Sequence, residues 1–191
     1  MDTKKKVFIV HWWWGNSTEP WFVRLKNSLE QMDFEVKIFD MPNTDEPEID
    51  TRVNFLKNNI SDIDKNTYLV WQSVWCQTIL RYLSTLDNDI KLWWVAFVAG
   101  WFDLIPGSCE WEEIDIAKPW IETPIDLDKA KTHTDNFFAI FSDDDYYVSL
   151  DNEKIFREKL NAKTIIETWK GHYSQEDNVI EIPVLLKRFK K

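Results

Sequence analysis

The sequence predicts an α/β fold, with a mostly parallel central sheet and helices on both faces. Two observations predict it. Short β-rich apolar runs alternate with stretches of helical apolar spacing along the chain, which is the rhythm of βαβ units. Several runs are continuously apolar, as strands covered on both faces are. No internal repeat, low-complexity tract or linker interrupts the rhythm, so residues 1–191 are expected to form a single domain.

Val7 to Val10 reads as the first strand. Apolar residues at 21, 22, 25, 29 and 32 place a helix over Trp21 to Met32. Glu35 to Phe39 is the second strand, and a Pro/Asn/Asp turn follows over 41–47. Val53, Leu56 and Ile60 give an inward face to a helix from Ile49 to Ile60. Tyr68 to Val70 is the third strand, and Ile79, Leu80, Leu83 and Leu86 mark a helix from Val74 to Leu86. Leu92 to Val98, Phe137 to Phe141 and Thr164 to Ile166 are the remaining strands. Asn152 to Leu160 and Ile182 to Phe189 are helices. Residues 100–130, with Pro106, Pro119 and Pro124, break the rhythm and read as a short cap or a long connection.

Composition narrows the function. Hydrophobic residues at 44% and charged residues at 29% fit a soluble globular protein. A net charge of −10 argues against a nucleic-acid partner. No 18-residue apolar run exists, so no membrane span is expected. The charged start, Met1 to Lys6, leads into four apolar residues, too few for a signal peptide. Two cysteines, Cys76 and Cys109, do not make a disulfide framework, and a reducing cytoplasmic location is expected.

In a parallel sheet, ligands sit at the carboxyl ends of the strands. Three loops there carry chemistry: Trp71-Gln72-Ser73-Val74-Trp75, Ser142 to Val148, and Lys170-Gly171-His172-Tyr173-Ser174. They supply Ser, then Asp, then His, the chain order of the α/β-hydrolase catalytic groups. A serine hydroxyl needs an imidazole to take its proton, and the imidazole needs a carboxylate to fix its tautomer. Asp143-Asp144-Asp145 could also be a solvated turn or a metal site. No second acidic cluster follows another strand as clearly, so no metal and no cofactor is expected. His11 precedes Ser73 and reads as a loop residue, and His133 as a surface residue. Cys76 reads as a buried packing thiol.

The chain has 12 Trp and 4 Gly, where ordinary usage of about 7% would give roughly 13 Gly. The elbow around a nucleophilic serine reads Gly-x-Ser-x-Gly, yet here tryptophans flank Ser73 at both glycine positions. Trp12, Trp14, Trp71, Trp75, Trp93, Trp94 and Trp169 all stand where glycine is expected. Overpacking by a methylene or two costs about 1–3 kcal/mol, so these indoles are expected to distort the Ser73 elbow and the His11 loop. A gene that uses UGA for glycine, translated with UGA as tryptophan, would give this pattern. Exchanging the seven raises Gly from 4 to 11 and lowers Trp from 12 to 5.

With that exchange the chain resembles the serine hydrolases of the retinoblastoma-binding protein 9 and bacterial YdeN type, nearly end to end. The resemblance rests on the His11 loop, Trp21-Phe22, Asp40-Met41-Pro42-Asn43, the Ser73 elbow with Cys76 and Arg81-Tyr82-Leu83, Ala99-Gly100, Lys118-Pro119-Trp120, Ser142 to Val148, and Gly171-His172-Tyr173. It implies a compact α/β-hydrolase with Ser73 as nucleophile and His172 as base. Asp145, three residues before Val148, is the implied acid, with Asp144 the alternative. The N–H groups of Val74 and Trp13 would form the oxyanion hole. The expected substrate is a small ester. A catalytically silent protein-interaction module on the same fold, and an aromatic surface for sugars or other flat ligands, are the competing readings.

Overall fold

Six short apolar segments pair into one wholly parallel sheet in the order β2-β1-β3-β4-β5-β6. The structure, a computed structural model, describes residues 4–190. Met1 to Thr3, the head of the charged start, lie outside the described residues, as does Lys191. The strands are β1 (Lys6–Val10), β2 (Glu35–Phe39), β3 (Thr67–Gln72), β4 (Trp94–Val98), β5 (Phe137–Ser142) and β6 (Lys163–Glu167). The helices are α1 (Pro20–Glu30), α2 (Ile49–Asn59), α3 (Trp75–Leu83), α4 (Trp111–Glu122), α5 (Leu127–Lys131), α6 (Asp151–Leu160) and α7 (Pro183–Phe189). This is the α/β architecture, a parallel central sheet with helices, that the alternation predicts.

Successive strand residues face opposite sides. Leu69 and Trp71 of β3, with Val95 and Phe97 of β4, meet Leu56 of α2, Ile79 of α3 and Phe156 of α6. Tyr68 and Val70, with Trp94 and Ala96, meet Trp21 and Leu25 of α1 and Leu185 and Phe189 of α7. Both faces are therefore covered, and central β3, β4 and β5 are buried throughout. The last strand, β6, lies at an edge and is more open, with Lys163 and Glu167 on it. Charged side chains on an edge discourage pairing with another chain.

Residues 100–130 hold two helices the apolar pattern did not predict. Helix α4 opens with a capping box, in which the Glu110 side chain accepts from the Glu113 amide and the Glu113 side chain accepts from the Glu110 amide. Pro119 lies inside it, where proline normally argues against a helix. Ala117 and Trp120 face inward, and the Trp120 indole donates to Pro47 O at 2.8 Å. The surface expectation for His133 is overturned. Its ring is fully buried, with Nδ1 2.8 Å from Ile90 O, and its carbonyl accepts from Leu92 N just ahead of β4. The polar neighbours Lys131, Thr132 and Thr134 masked that tie.

Candidate active site

The chain passes from β1 to β2 on one side and to β3 on the other, so a crevice opens at the carboxyl ends of β1 and β3. Ser73 follows β3 directly. Its amide donates to Val98 O at 2.9 Å, and its φ is +56°. A non-glycine residue in that left-handed region is strained by about 1–3 kcal/mol and clusters at functional sites. The turn projects the hydroxyl off the sheet at the start of α3. Val74 is the N-cap of that helix, where amides lack intrahelical partners and the helix dipole is positive.

The structure brings Ser73, His172 and Asp145 into one hydrogen-bonded chain. Ser73 Oγ lies 2.9 Å from His172 Nε2, and His172 Nδ1 lies 2.9 Å from Asp145 Oδ2. All three side chains are buried, with Ser73 4% and His172 2% exposed. Asp145 Oδ1 accepts from the amides of Tyr147 (2.9 Å) and Val148 (3.0 Å), which fixes the carboxylate against the ring. Asp144 is turned elsewhere. Its Oδ1 accepts from Ser142 Oγ at 2.6 Å and from the Lys170 and Gly171 amides at 3.0 and 2.8 Å. The Ser142 hydroxyl above all holds the Asp144 carboxyl below its ordinary pKa. Asp144 thus ties the loop after β5 to the loop after β6, and Asp145 faces the histidine.

A family model described as "Serine hydrolase" matches residues 7–191. The chain belongs to the serine hydrolase family. The hydrolase is similar to YdeN of Bacillus subtilis (strain 168), 25% identical over 181 residues, covering 95% of this chain and 92% of that one. The crystal structure of the ydeN gene product superposes with a TM-score of 0.88 at 24% identity, covering 97% of both chains. Est1E of Butyrivibrio proteoclasticus superposes with a TM-score of 0.69 at 13% identity, covering 100% of this chain and 90% of that one. The structural likenesses speak for the fold.

Two further carboxylates and an amide shape the site of this hydrolase without having been legible in its motifs. Asp177 Oδ2 accepts from the His172 amide (2.9 Å), the Ser174 amide (3.0 Å) and Ser174 Oγ (2.8 Å). Gly171 makes that clamp possible, because its φ is +52° and a Cβ there would fall inside the Asp177 carboxylate. Gln72 donates from Nε2 to His172 O (2.9 Å) and Tyr173 O (3.2 Å), binding the end of β3 to the histidine loop. Glu19 is buried beside the His11 loop and accepts from the Trp12 indole, and burial pushes its carboxyl up. His11 holds its loop in place: Nδ1 lies 2.7 Å from Trp12 O, and Nε2 accepts from Met41 N at 3.1 Å. Burial lowers its pKa, which fits a neutral structural ring.

The expected distortion of the elbow is absent. Ser73 keeps its geometry because the flanking indoles are absorbed into the core, both fully buried. Trp75 lies under the Arg52 guanidinium (4.1 Å to the ring centre), edge-on to His11 and Trp120. The penalty appears in unpaired polar groups instead. Among the described residues, Trp71 Nε1, Trp75 Nε1, and Nε and Nη1 of Arg52 are buried without a hydrogen-bond partner, and each such group costs about 1–3 kcal/mol. Strain does appear at Trp169, whose φ is +57° with the side chain 82% exposed. Around the histidine stand Trp12, Tyr146 and Tyr147, with ring centres 6.4, 6.4 and 5.2 Å from it.

Proposed function

We propose that the chain cleaves small esters through an acyl-enzyme on Ser73. The observation that carries this reading is the bonded chain from Ser73 Oγ through both nitrogens of His172 to Asp145. His172 takes the serine proton as Oγ attacks the substrate carbonyl, then returns it to the leaving alcohol. Asp145 keeps the Nδ1 proton in place and balances the imidazolium. The amides of Val74 and Trp13 receive the oxyanion, a contribution worth about 2.7–4 kcal/mol per donor in enzymes of this chemistry. The rings of Tyr146 and Tyr147 crowd the histidine, which favours a small acyl group. The reading treats residues 1–191 as one catalytic domain, with 100–130 shaping its rim. The two free cysteines support a reducing, cytoplasmic setting.

A fluorophosphonate probe tests it. The expected result is labelling that disappears in Ser73→Ala, with p-nitrophenyl acetate hydrolysis lost in parallel. A folded protein that neither labels nor hydrolyses would leave the silent interaction module as the better account.

The seven tryptophans at glycine positions are read as decoded UGA codons, in a relative of the retinoblastoma-binding protein 9 and YdeN type. Buried, unpaired indole N–H groups at Trp71 and Trp75 and the left-handed backbone at Trp169 support this. Trp71, Trp75 and Trp94 are buried, and the exposed Trp93 precedes β4 while Trp14 and Trp169 follow β1 and β6 at the other end of the sheet, which argues against one aromatic binding surface. UGG at these seven codons would refute the reading.

A further inference from the structure

We propose that Trp101 is a catalytic residue of the second half-reaction, donating from its indole N–H to Ser73 Oγ as the acyl-enzyme breaks down. The inference rests on the acyl-enzyme reading above. Trp101 Nε1 lies 3.3 Å from Ser73 Oγ, on an indole that is fully buried. The indole N–H is a donor only. The donor roles around Oγ follow from this. Asp145 claims the proton on His172 Nδ1, so Nε2 accepts from the serine hydroxyl. A lone pair of the same oxygen is then left to accept from Trp101.

The indole is held there independently of substrate. Asn152, buried on α6, accepts at Oδ1 from the Phe102 amide (2.7 Å) and the Asp103 amide (3.3 Å). Its Nδ2 donates to Asp103 O at 2.9 Å. The residues just after Trp101 are therefore pinned, and no reorganisation is needed to present the donor when charge develops.

The effect falls unequally on the two halves of the reaction. In the free enzyme Oγ is a hydroxyl that already accepts from Trp101, so most of that bond is present before acylation begins and little is added as Oγ attacks. In the acyl-enzyme Oγ is an ester oxygen, a poor acceptor. Deacylation begins when water gives a proton to His172 Nε2 and its oxygen attacks the acyl carbon. The C–Oγ bond then breaks, its electron pair passes to Oγ, and His172 returns the proton there as the carboxylic acid leaves. Oγ carries partial negative charge in its attack as well as in its expulsion, but only expulsion starts from a poor acceptor, so the Trp101 bond gains most over its starting state there. An interaction made in the transition state and not before it accelerates its step.

Stopped-flow hydrolysis of p-nitrophenyl acetate separates the two steps. Trp101→Phe keeps a flat ring and removes the donor. The expected result is deacylation slowed by about fivefold to tenfold, the worth of one hydrogen bond to a developing charge. The burst rate should change by less than about twofold, with burst amplitude rising toward one per enzyme. Replacing Trp101 by 3-benzothienylalanine, which has the same bicyclic shape with sulfur in place of N–H, guards against a packing defect and should behave the same way. Unaltered deacylation in both variants, or an equal fall in both steps, overturns the proposal while Ser73 still labels with fluorophosphonate. Failure of the unsubstituted protein to label at Ser73 overturns the acyl-enzyme reading itself, and this inference with it.

Discussion

Replacing Gly171 by alanine tests whether the histidine loop is held by the Asp177 clamp. A Cβ at Gly171 would overlap the Asp177 carboxylate, and φ is +52°. Forcing a side chain into the left-handed region costs about 1–2 kcal/mol. Moving Asp177 aside frees three donors, the His172 amide, the Ser174 amide and Ser174 Oγ, each worth about 1 kcal/mol net. The sum is about 4 kcal/mol, which at about 2–4 °C per kcal/mol for a chain of this length lowers Tm by on the order of 10 °C. Because His172 is the next residue, its ring loses register with Ser73 and Asp145, and kcat should fall about a hundredfold. Gly107 supplies the control. Its φ is +82° with nothing within 4 Å of a would-be Cβ, so Gly107→Ala carries the backbone penalty alone, about 1–2 kcal/mol. Thermal melts followed by circular dichroism, together with p-nitrophenyl acetate kinetics, compare the two. Equal melting temperatures for both variants, or full activity in Gly171→Ala, would refute the clamp.

Asp145→Asn should lower kcat by about 10³–10⁴ through the wrong histidine tautomer, whereas Asp144→Asn should keep most activity; the reverse order in steady-state kinetics would exchange their roles. Asp144 is held below its ordinary 3.8 in the folded protein, so its stabilising contribution is present above 3.8 and lost as pH falls through the folded value. Asp144→Asn should therefore lower Tm at pH 7 and approach the unsubstituted protein at pH 3. Glu19 is raised above 4.5 by burial, so the folded state holds a proton the unfolded chain has released, and stability falls as pH rises past 4.5. Glu19→Gln should then raise Tm at pH 8 and leave it unaltered at pH 4; equal shifts at both pH values would sink that account. Burial drives the Cys76 thiol well up, so iodoacetamide at pH 7.5 should reach half-buried Cys109 first and Cys76 only on unfolding.

The centre of the sheet was legible because β3, β4 and β5 are buried on both faces and so are written as continuous apolar runs. Their places after strands singled out Ser73, the Asp143-Asp144-Asp145 loop and His172, and the family resemblance pointed to Asp145 within that loop. What stayed hidden depends on geometry that no spacing encodes. Asp177 works by curling back five residues onto the His172 amide, and Gln72 by reaching across the sheet edge to a residue 100 positions away. Trp101 lies in no motif, and only the turn after β4 aims its N–H at the serine. Helix α4 was masked by Pro119. The expected distortion at Ser73 failed for a different reason. Overpacking was judged from local volume, but the core on the α3 face received both indoles and left their N–H groups unpaired.

The position of β6 as the last strand, at the sheet edge, sets a timetable for the nascent chain. His172 follows β6 and lies 99 residues after Ser73. At about 5–20 residues per second, synthesis separates the two by roughly 5–20 s. On the acyl-enzyme reading, throughout that interval the serine has neither its proton acceptor nor the loop that Asp144 anchors, and it is an ordinary alcohol. On that reading, reactivity is switched on by the docking of one edge strand onto β5, so a ribosome-bound or truncated chain lacking β6 is harmless to the esters around it.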